Sequence, residues 1–359
     1  MNILVVNEMR KITHSLRPEI QSYLHWAAAG HKVTIFSPES EYRPQLEAAG
    51  INVLCSPQQR KLSWPAIKAL RAELTRQHYD IIYAINSKTI PTAAFAAIGF
   101  PAKLICYRGT TNGLYRSDPT AYLTLHHPRV DGVACVSGAV TDYVKSKLWR
   151  NHDRVVTIYK GHELSWYNET PADLSEFGIP SDAFVVIAAA QFRPSKGLSV
   201  LLEASNAWAE LDNLHLLLVG NGIDEATYGD AIRQSAIADR IHQTGYRNDA
   251  PRLIAASHLL VQASIRGEGL PRSIVEGLAY GVPAISTTTG GAKEILVEGE
   301  TGFIVPTHDA KAIADRVTTL YQQPEKLQAM AANCRATIQN QLSSANTAQQ
   351  FIDFFQSLL

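Results

Sequence analysis

Two glutamates, Glu268 and Glu276, flank a run of glycine and proline in Gly267-Glu268-Gly269-Leu270-Pro271-Arg272-Ser273. The run follows Leu259-Leu260-Val261, which has the length and composition of a buried strand. It precedes a helical pattern from about Arg272 to Tyr280, entered through a proline whose missing amide would have no partner there. Gly281 and Pro283 end that helix. Strand, glycine-rich loop and helix N-terminus together aim free amides and the helix dipole at an anion. Carboxylates beside such a cluster suit neutral hydroxyls, each accepting two of their hydrogen bonds, as on a sugar and a ribose. From these residues alone, a capping glutamate and a solvated helical glutamate are the alternative.

A second constellation lies in Gln191-Phe192-Arg193-Pro194-Ser195-Lys196-Gly197, between an apolar strand Phe184–Ala190 and a helix Leu198–Ala209. Two cations in a strand-to-helix loop suit a diphosphate, Arg193 through paired donors and Lys196 as a point charge. The strand Leu214–Gly220 ends in the turn Gly220-Asn221-Gly222, and Ile241–Gly245 runs into Tyr246-Arg247-Asn248. Arg247 could stack on a planar ring or simply be solvated.

From Glu268-Gly-Leu-Pro-Arg-Ser-Ile-Val-Glu276 through Gly281-Val-Pro283, Gly290-Gly291, Glu294 and Gly302, the chain resembles the donor-site signature of family 4 glycosyltransferases. These are retaining, nucleotide-sugar-dependent enzymes of the GT-B fold. The resemblance implies an α/β protein with two Rossmann-like parallel-sheet domains facing a central cleft. It implies transfer from a nucleotide-sugar, a UDP-sugar first and GDP-mannose second, to a saccharide or lipid-linked acceptor in bacterial cell-surface polysaccharide or lipopolysaccharide synthesis. By the same resemblance Glu276 binds ribose hydroxyls, Glu268 the sugar's hydroxyls, and Arg193 with Lys196 the diphosphate. Gly269, Leu270, Pro271, Gly220 and Arg247 complete the donor side. No metal or other cofactor is expected, because the two cations stabilise the departing diphosphate. A sugar-nucleotide 2-epimerase of the same fold and a non-catalytic nucleotide-sugar-binding subunit are the competing readings.

The N-terminal half departs from the family. Its first loop, Glu8-Met9-Arg10-Lys11-Ile12-Thr13-His14, lacks the usual glycine pair. Either Arg10, Lys11 or His14 contributes a side chain there, or the loop is a solvated basic one. Arg108 or Thr110, in Arg108-Gly109-Thr110-Thr111-Asn112-Gly113, stands where the family often has a histidine. Acceptor-side contacts are therefore assigned to Arg108, Thr110, His14 and Arg10, Arg108 being suited to an anionic partner. The adjacent His126-His127 do not by themselves make a metal site.

The elements that must position these groups read as β-α-β units: strands at Asn2–Asn7 and Lys32–Ser37 around a helix at Glu19–Gly30 imply a parallel sheet with right-handed crossover. At 359 residues the chain suits two cores. An acceptor domain is placed at 1–168, a nucleotide-sugar domain at 169–344, with a helix 345–359 packing back on the first. Charge divides similarly: residues 1–170 hold 20 Lys+Arg against 13 Asp+Glu, residues 171–359 the reverse asymmetry, 13 against 20. A basic first half could attract anionic lipid or the second half. A basic amphipathic helix at Leu62–His78, entered at Trp64-Pro65, offers a peripheral membrane contact or an ordinary surface face. Four scattered cysteines without CxxC spacing suit a reducing compartment. The N-terminus reads as a strand and no apolar run approaches the ~18 residues of a membrane span. A cytoplasmic enzyme, peripheral at the inner membrane face and without nucleic-acid partners, is expected.

Overall fold

Short Val-, Ile- and Leu-rich runs alternating with helices leave strands buried on both faces, the pattern of a parallel sheet. The computed structural model describes residues 1–58, 60–223 and 225–359, and the chain divides into two units, Met1–His162 with Leu342–Leu359, and Glu163–Gln341.

In the first unit, strands β1 (Asn2–Val6), β2 (Lys32–Ser37), β3 (Asn52–Cys55), β4 (Ile81–Ala84), β5 (Lys103–Arg108), β6 (Val130–Cys135) and β7 (Val155–Thr157) form a seven-stranded sheet. Its order is β3-β2-β1-β4-β5-β6-β7, with parallel pairings such as Val5↔Ile35 and Val5↔Tyr83 on either side of β1. Trp26, from the helix Arg17–Ala28, is buried among Tyr23, Tyr83, Phe351 and Phe355 at centroid distances of 5.4–6.0 Å. Its Nε1 donates to the Ala348 carbonyl at 3.2 Å, tying down the helix Ser344–Gln356. Gly161 permits this approach: a Cβ there would lie 2.5 Å from Ser344 Cα. Large buried side chains such as Phe355 each contribute about 1.5–3 kcal/mol, enough to hold a terminal helix in place.

In the second unit, β8 (Phe184–Ala189), β9 (Leu214–Val219), β10 (Ile241–Gly245), β11 (Leu259–Gln262), β12 (Ala284–Thr287) and β13 (Gly302–Val305) order as β10-β9-β8-β11-β12-β13. The helices Leu198–Ser205 and Ala310–Gln322 cover one face through Leu201, Leu202, Ile313 and Val317.

Several sequence expectations need correction. The edge strands β3 and β13 were not foreseen. The helix expected at Leu62–His78 spans Trp64–Arg76 and buries its apolar side, Ile67, Leu70 and Leu74, in the unit's core. That side is therefore not available to a membrane; only its entrance, Leu62 and Trp64, is exposed. Among the described residues no helix is long and apolar enough to cross a membrane. The cysteines are unpaired.

Burial lowers the pKa of His215, His242 and His258 below the ordinary value near 6.5. His215 Nδ1 and His242 Nε2 are 2.9 Å apart, and Val185 N–H donates to His258 Nδ1, so each of these sites is built for neutral imidazole. Below about pH 6.5 the unfolded chain binds more of these protons than the folded one, so stability is full above that pH and falls as pH falls. Melting temperature should drop between pH 7.5 and 5.5, and His242→Gln should shrink the drop; a melt insensitive to pH over that range would contradict the argument.

Candidate functional site

In an open parallel sheet the strand order reverses at one place, and loops leaving the two strands there diverge to leave a crevice at their C-terminal ends. In the second unit the reversal lies between β8 and β11. The loops that follow them carry Arg193 and Lys196, and Glu268, respectively. These loops touch: Ile265 N–H donates to Ser195 O at 2.9 Å, and a Cβ on Gly197 (φ +67°) would lie 2.0 Å from Ala263 O. Gly220 (φ +134°) closes on Ala190 O in the same way, at 1.8 Å. Both positions combine left-handed backbone with backbone contact, which excludes any side chain.

The crevice is a pocket of about 550 Å³ lined by Lys196, Gly220, Arg247, Glu268, Leu270, Pro271 and Glu276 of the expected donor residues, a volume typical of small-molecule sites. Lys196 Nζ and Glu268 Oε1 are 2.5 Å apart, with Glu268 buried. Glu276, also buried, is reached by Arg272 Nε at 3.1 Å one turn earlier. The helix Arg272–Tyr280 starts in the lining, and Pro271 provides no side-chain cap for its first amides. Gly269 lies behind the lining, its carbonyl accepting from Gly291 N–H at 2.6 Å. Arg193 is not in the lining either; its guanidinium donates to Gln191 Oε1 at 2.7 Å.

Arg247 lines the pocket fully engaged. It meets Asp249 at 2.8 Å and Glu176 at 3.1 Å and lies over the Phe177 ring, and these carboxylates raise its pKa. Asp249 is held below its usual range chiefly by the same guanidinium. Arg247 thus serves as a fixed plane at the pocket edge.

Sequence reasoning missed Gln262 and Ser264. Ser264 Oγ donates its single proton to Glu268 Oε1 at 2.5 Å and accepts from Gln262 Nε2 at 3.4 Å. A buried chain from Gln262 through Ser264 and Glu268 to Lys196 orients the carboxylate. The available signal was polar residues interrupting the apolar run at the C-terminal end of β11.

In the first unit, Arg108 and Thr110 line a separate pocket of about 200 Å³, whereas Arg10 and His14 do not. Arg10 is engaged by Glu8 at 3.3 Å and by the Gln58 carbonyl. Its loop is pinned by Glu41, which accepts from Ile12 N–H at 2.8 Å. His126 and His127 pack against Tyr122 and Phe95, and burial lowers the pKa of both. Among the described residues no group of His, Cys, Asp and Glu is arranged to hold a metal.

Sequence profiles of two families match the chain: Glycosyltransferase Family 4 over residues 23–166 and Glycosyl transferases group 1 over 169–337. A phosphatidyl-myo-inositol mannosyltransferase of Mycobacterium leprae is 32% identical, over 71% of this chain and 68% of its own length. The N-acetyl-alpha-D-glucosaminyl L-malate synthase of Bacillus anthracis is 25% identical, over 82% and 79% respectively. The chain spans about half (48%) of the length of the Bacillus subtilis protein EpsD, at 30% identity. Among solved structures, HepE of Anabaena in complex with UDP superposes with a TM-score of 0.80 at 21% identity, covering 99% of this chain and 100% of that one.

Removing Lys196 should strand a buried carboxylate. Lys196→Met is expected to cost about 1–3 kcal/mol in urea unfolding, and adding Glu268→Gln should recover at least half of it. Simple additivity of the two substitutions would refute the coupling.

Proposed function

The chain belongs to glycosyltransferase family 4, and on that premise we propose that it moves a sugar from a nucleotide-sugar to a saccharide or lipid-linked acceptor in cell-surface polysaccharide or lipopolysaccharide synthesis. The observation that carries the reading is the pocket at the β8/β11 reversal, where Lys196, Glu268, Glu276 and an uncapped helix N-terminus converge. A UDP-sugar is the first choice of donor, supported by UDP in the HepE complex and UDP-glucose in another complex of that protein; GDP-mannose is the second.

In this reading the helix amides and Lys196 hold the diphosphate, and Arg193 joins them on release from Gln191. Glu276 accepts from ribose hydroxyls and Glu268 from hydroxyls of the sugar. Transfer proceeds with retention: the acceptor oxygen bonds to the anomeric carbon from the face the leaving group vacates. The bond from that carbon to the diphosphate oxygen breaks, and the acceptor proton passes to the departing phosphate. Charge on that phosphate is met by Lys196 and Arg193, which is the basis for proposing that no divalent metal is needed. Exposed Leu62 and Trp64 next to Arg60 and Lys61 support a peripheral contact with anionic lipid on the cytoplasmic side.

A panel of UDP-, GDP-, ADP- and CMP-sugars tests the donor site by thermal shift. At about 100 times Kd the matching class should stabilise by roughly 2.7 kcal/mol, and Glu276→Ala should lose most of that response. If no nucleotide class stabilises the wild type, the reading is wrong. Interconversion of UDP-GlcNAc without acceptor would favour a 2-epimerase, and donor binding without transfer a non-catalytic subunit. EDTA should leave transfer unchanged, and the product's anomeric coupling constant should match the donor's; inversion or metal dependence would overturn those parts.

A further inference from the structure

The 200 Å³ pocket of the first unit is lined by two cations, Lys61 and Arg108, and by the hydroxyl-bearing Ser87, Thr110, Thr120 and Thr124, with no aspartate or glutamate in the lining. Several other basic groups of this unit are matched by acids: Arg10 and Lys88 share Glu8, Arg76 pairs with Glu73, Arg129 with Asp131 and Lys160 with Glu19, while Arg71 and Arg116 lie over the Phe100 and Trp149 rings. Among the described residues neither Lys61 nor Arg108 has a carboxylate within ion-pair distance. The nearby Asp118 is occupied in a turn, accepting from Thr120 N–H at 2.8 Å and Thr120 Oγ at 3.0 Å.

Arg108 is held rather than dangling. Its Nε donates to Thr110 O at 3.1 Å and one terminal nitrogen to Asn112 O. These neutral oxygens fix the guanidinium plane without cancelling its charge, and burial accordingly pushes its pKa down. A half-buried, braced cation with no counter-charge is costly unless a ligand supplies one. Hydroxyls around it can donate to an oxyanion's remaining lone pairs.

We infer that this pocket receives the anionic group, a phosphate or a carboxylate, of the acceptor molecule. Arg108 grips it through paired donors and Lys61 adds a point charge. The inference rests on the glycosyltransferase reading for the word acceptor, but the anion site itself does not.

Full-length protein saturated with UDP is titrated calorimetrically with glucose 6-phosphate, glucuronate and glucose, which share a sugar frame and differ in charge. At least one anionic sugar should bind tenfold or more tightly than glucose, and which one does so distinguishes phosphate from carboxylate. Arg108→Gln and Lys61→Gln should each weaken that binding, Arg108→Gln by tenfold or more, while the melting temperature and near-UV circular dichroism stay as in wild type and so report an intact fold. Equal binding of glucose and both anions, no anion-dependent binding at all, or anion affinity indifferent to both substitutions would overturn the inference. If the anions bind as expected but no nucleotide class binds wild type, the nucleotide-sugar reading falls and the anion site stands.

Discussion

The reversal of strand order governs the chemistry of the second unit. Right-handed crossovers carry the chain outward from β8 in one direction and then back past it to β11, so these adjacent strands emit loops that turn to opposite faces. Nothing but loop backbone and a few side chains can fill the gap. The groups there are glycines where backbone meets backbone, and a lysine–glutamate pair bridging the two loops, its glutamate buried and its lysine partly exposed. A buried ion pair is a poor source of stability, because desolvating both partners offsets most of their attraction. Its presence at the reversal, braced by Ser264 and Gln262, is better explained by what a ligand gains: pre-oriented charge that need not reorganise on binding.

The same logic separates the two cations of the β8 loop. Lys196 is already spent on Glu268, whereas among the described residues Arg193 is held by the side chain of Gln191. A diphosphate entering the pocket would compete with a carboxylate for the lysine and with a neutral amide for the arginine. The amide is the weaker competitor, so Arg193 is the group that moves and Lys196 the one that stays.

Much of this was legible in the sequence. The helix Arg272–Tyr280 was expected with the bounds it has, because proline, a periodic apolar stripe and a C-terminal glycine agree there. The parallel architecture followed from alternating apolar runs and helical segments. The edge strands β3 and β13 escaped because neither is a continuous apolar run: β3 opens on exposed Asn52 and ends on exposed Cys55, and β13 opens on Gly302. The helix at Trp64–Arg76 was read as two-sided, and only the fold reveals that its apolar side is core. Arg247 read as a donor-side arginine, stacked or solvated; Asp249, two positions on, and Glu176, 71 positions away, hold it in place, and no local pattern carries the second pairing.

Why the pocket of the second unit was readable in the sequence and the pocket around Arg108 was not follows from what builds each. The pocket at the β8/β11 reversal draws on backbone amides and on charged residues within two strand–loop–helix segments, so its construction imposes spacing along each of them. The pocket around Arg108 is assembled from the segment before the helix Trp64–Arg76, the loop beyond β4, the loop beyond β5 and the short turn at Pro119–Leu123. Each contributes one to four side chains, and none constrains the sequence position of another. Such a site can change its ligand by single substitutions without disturbing the sheet that carries it. It leaves no motif, and it shows itself only once folding brings cations together without their counter-charges.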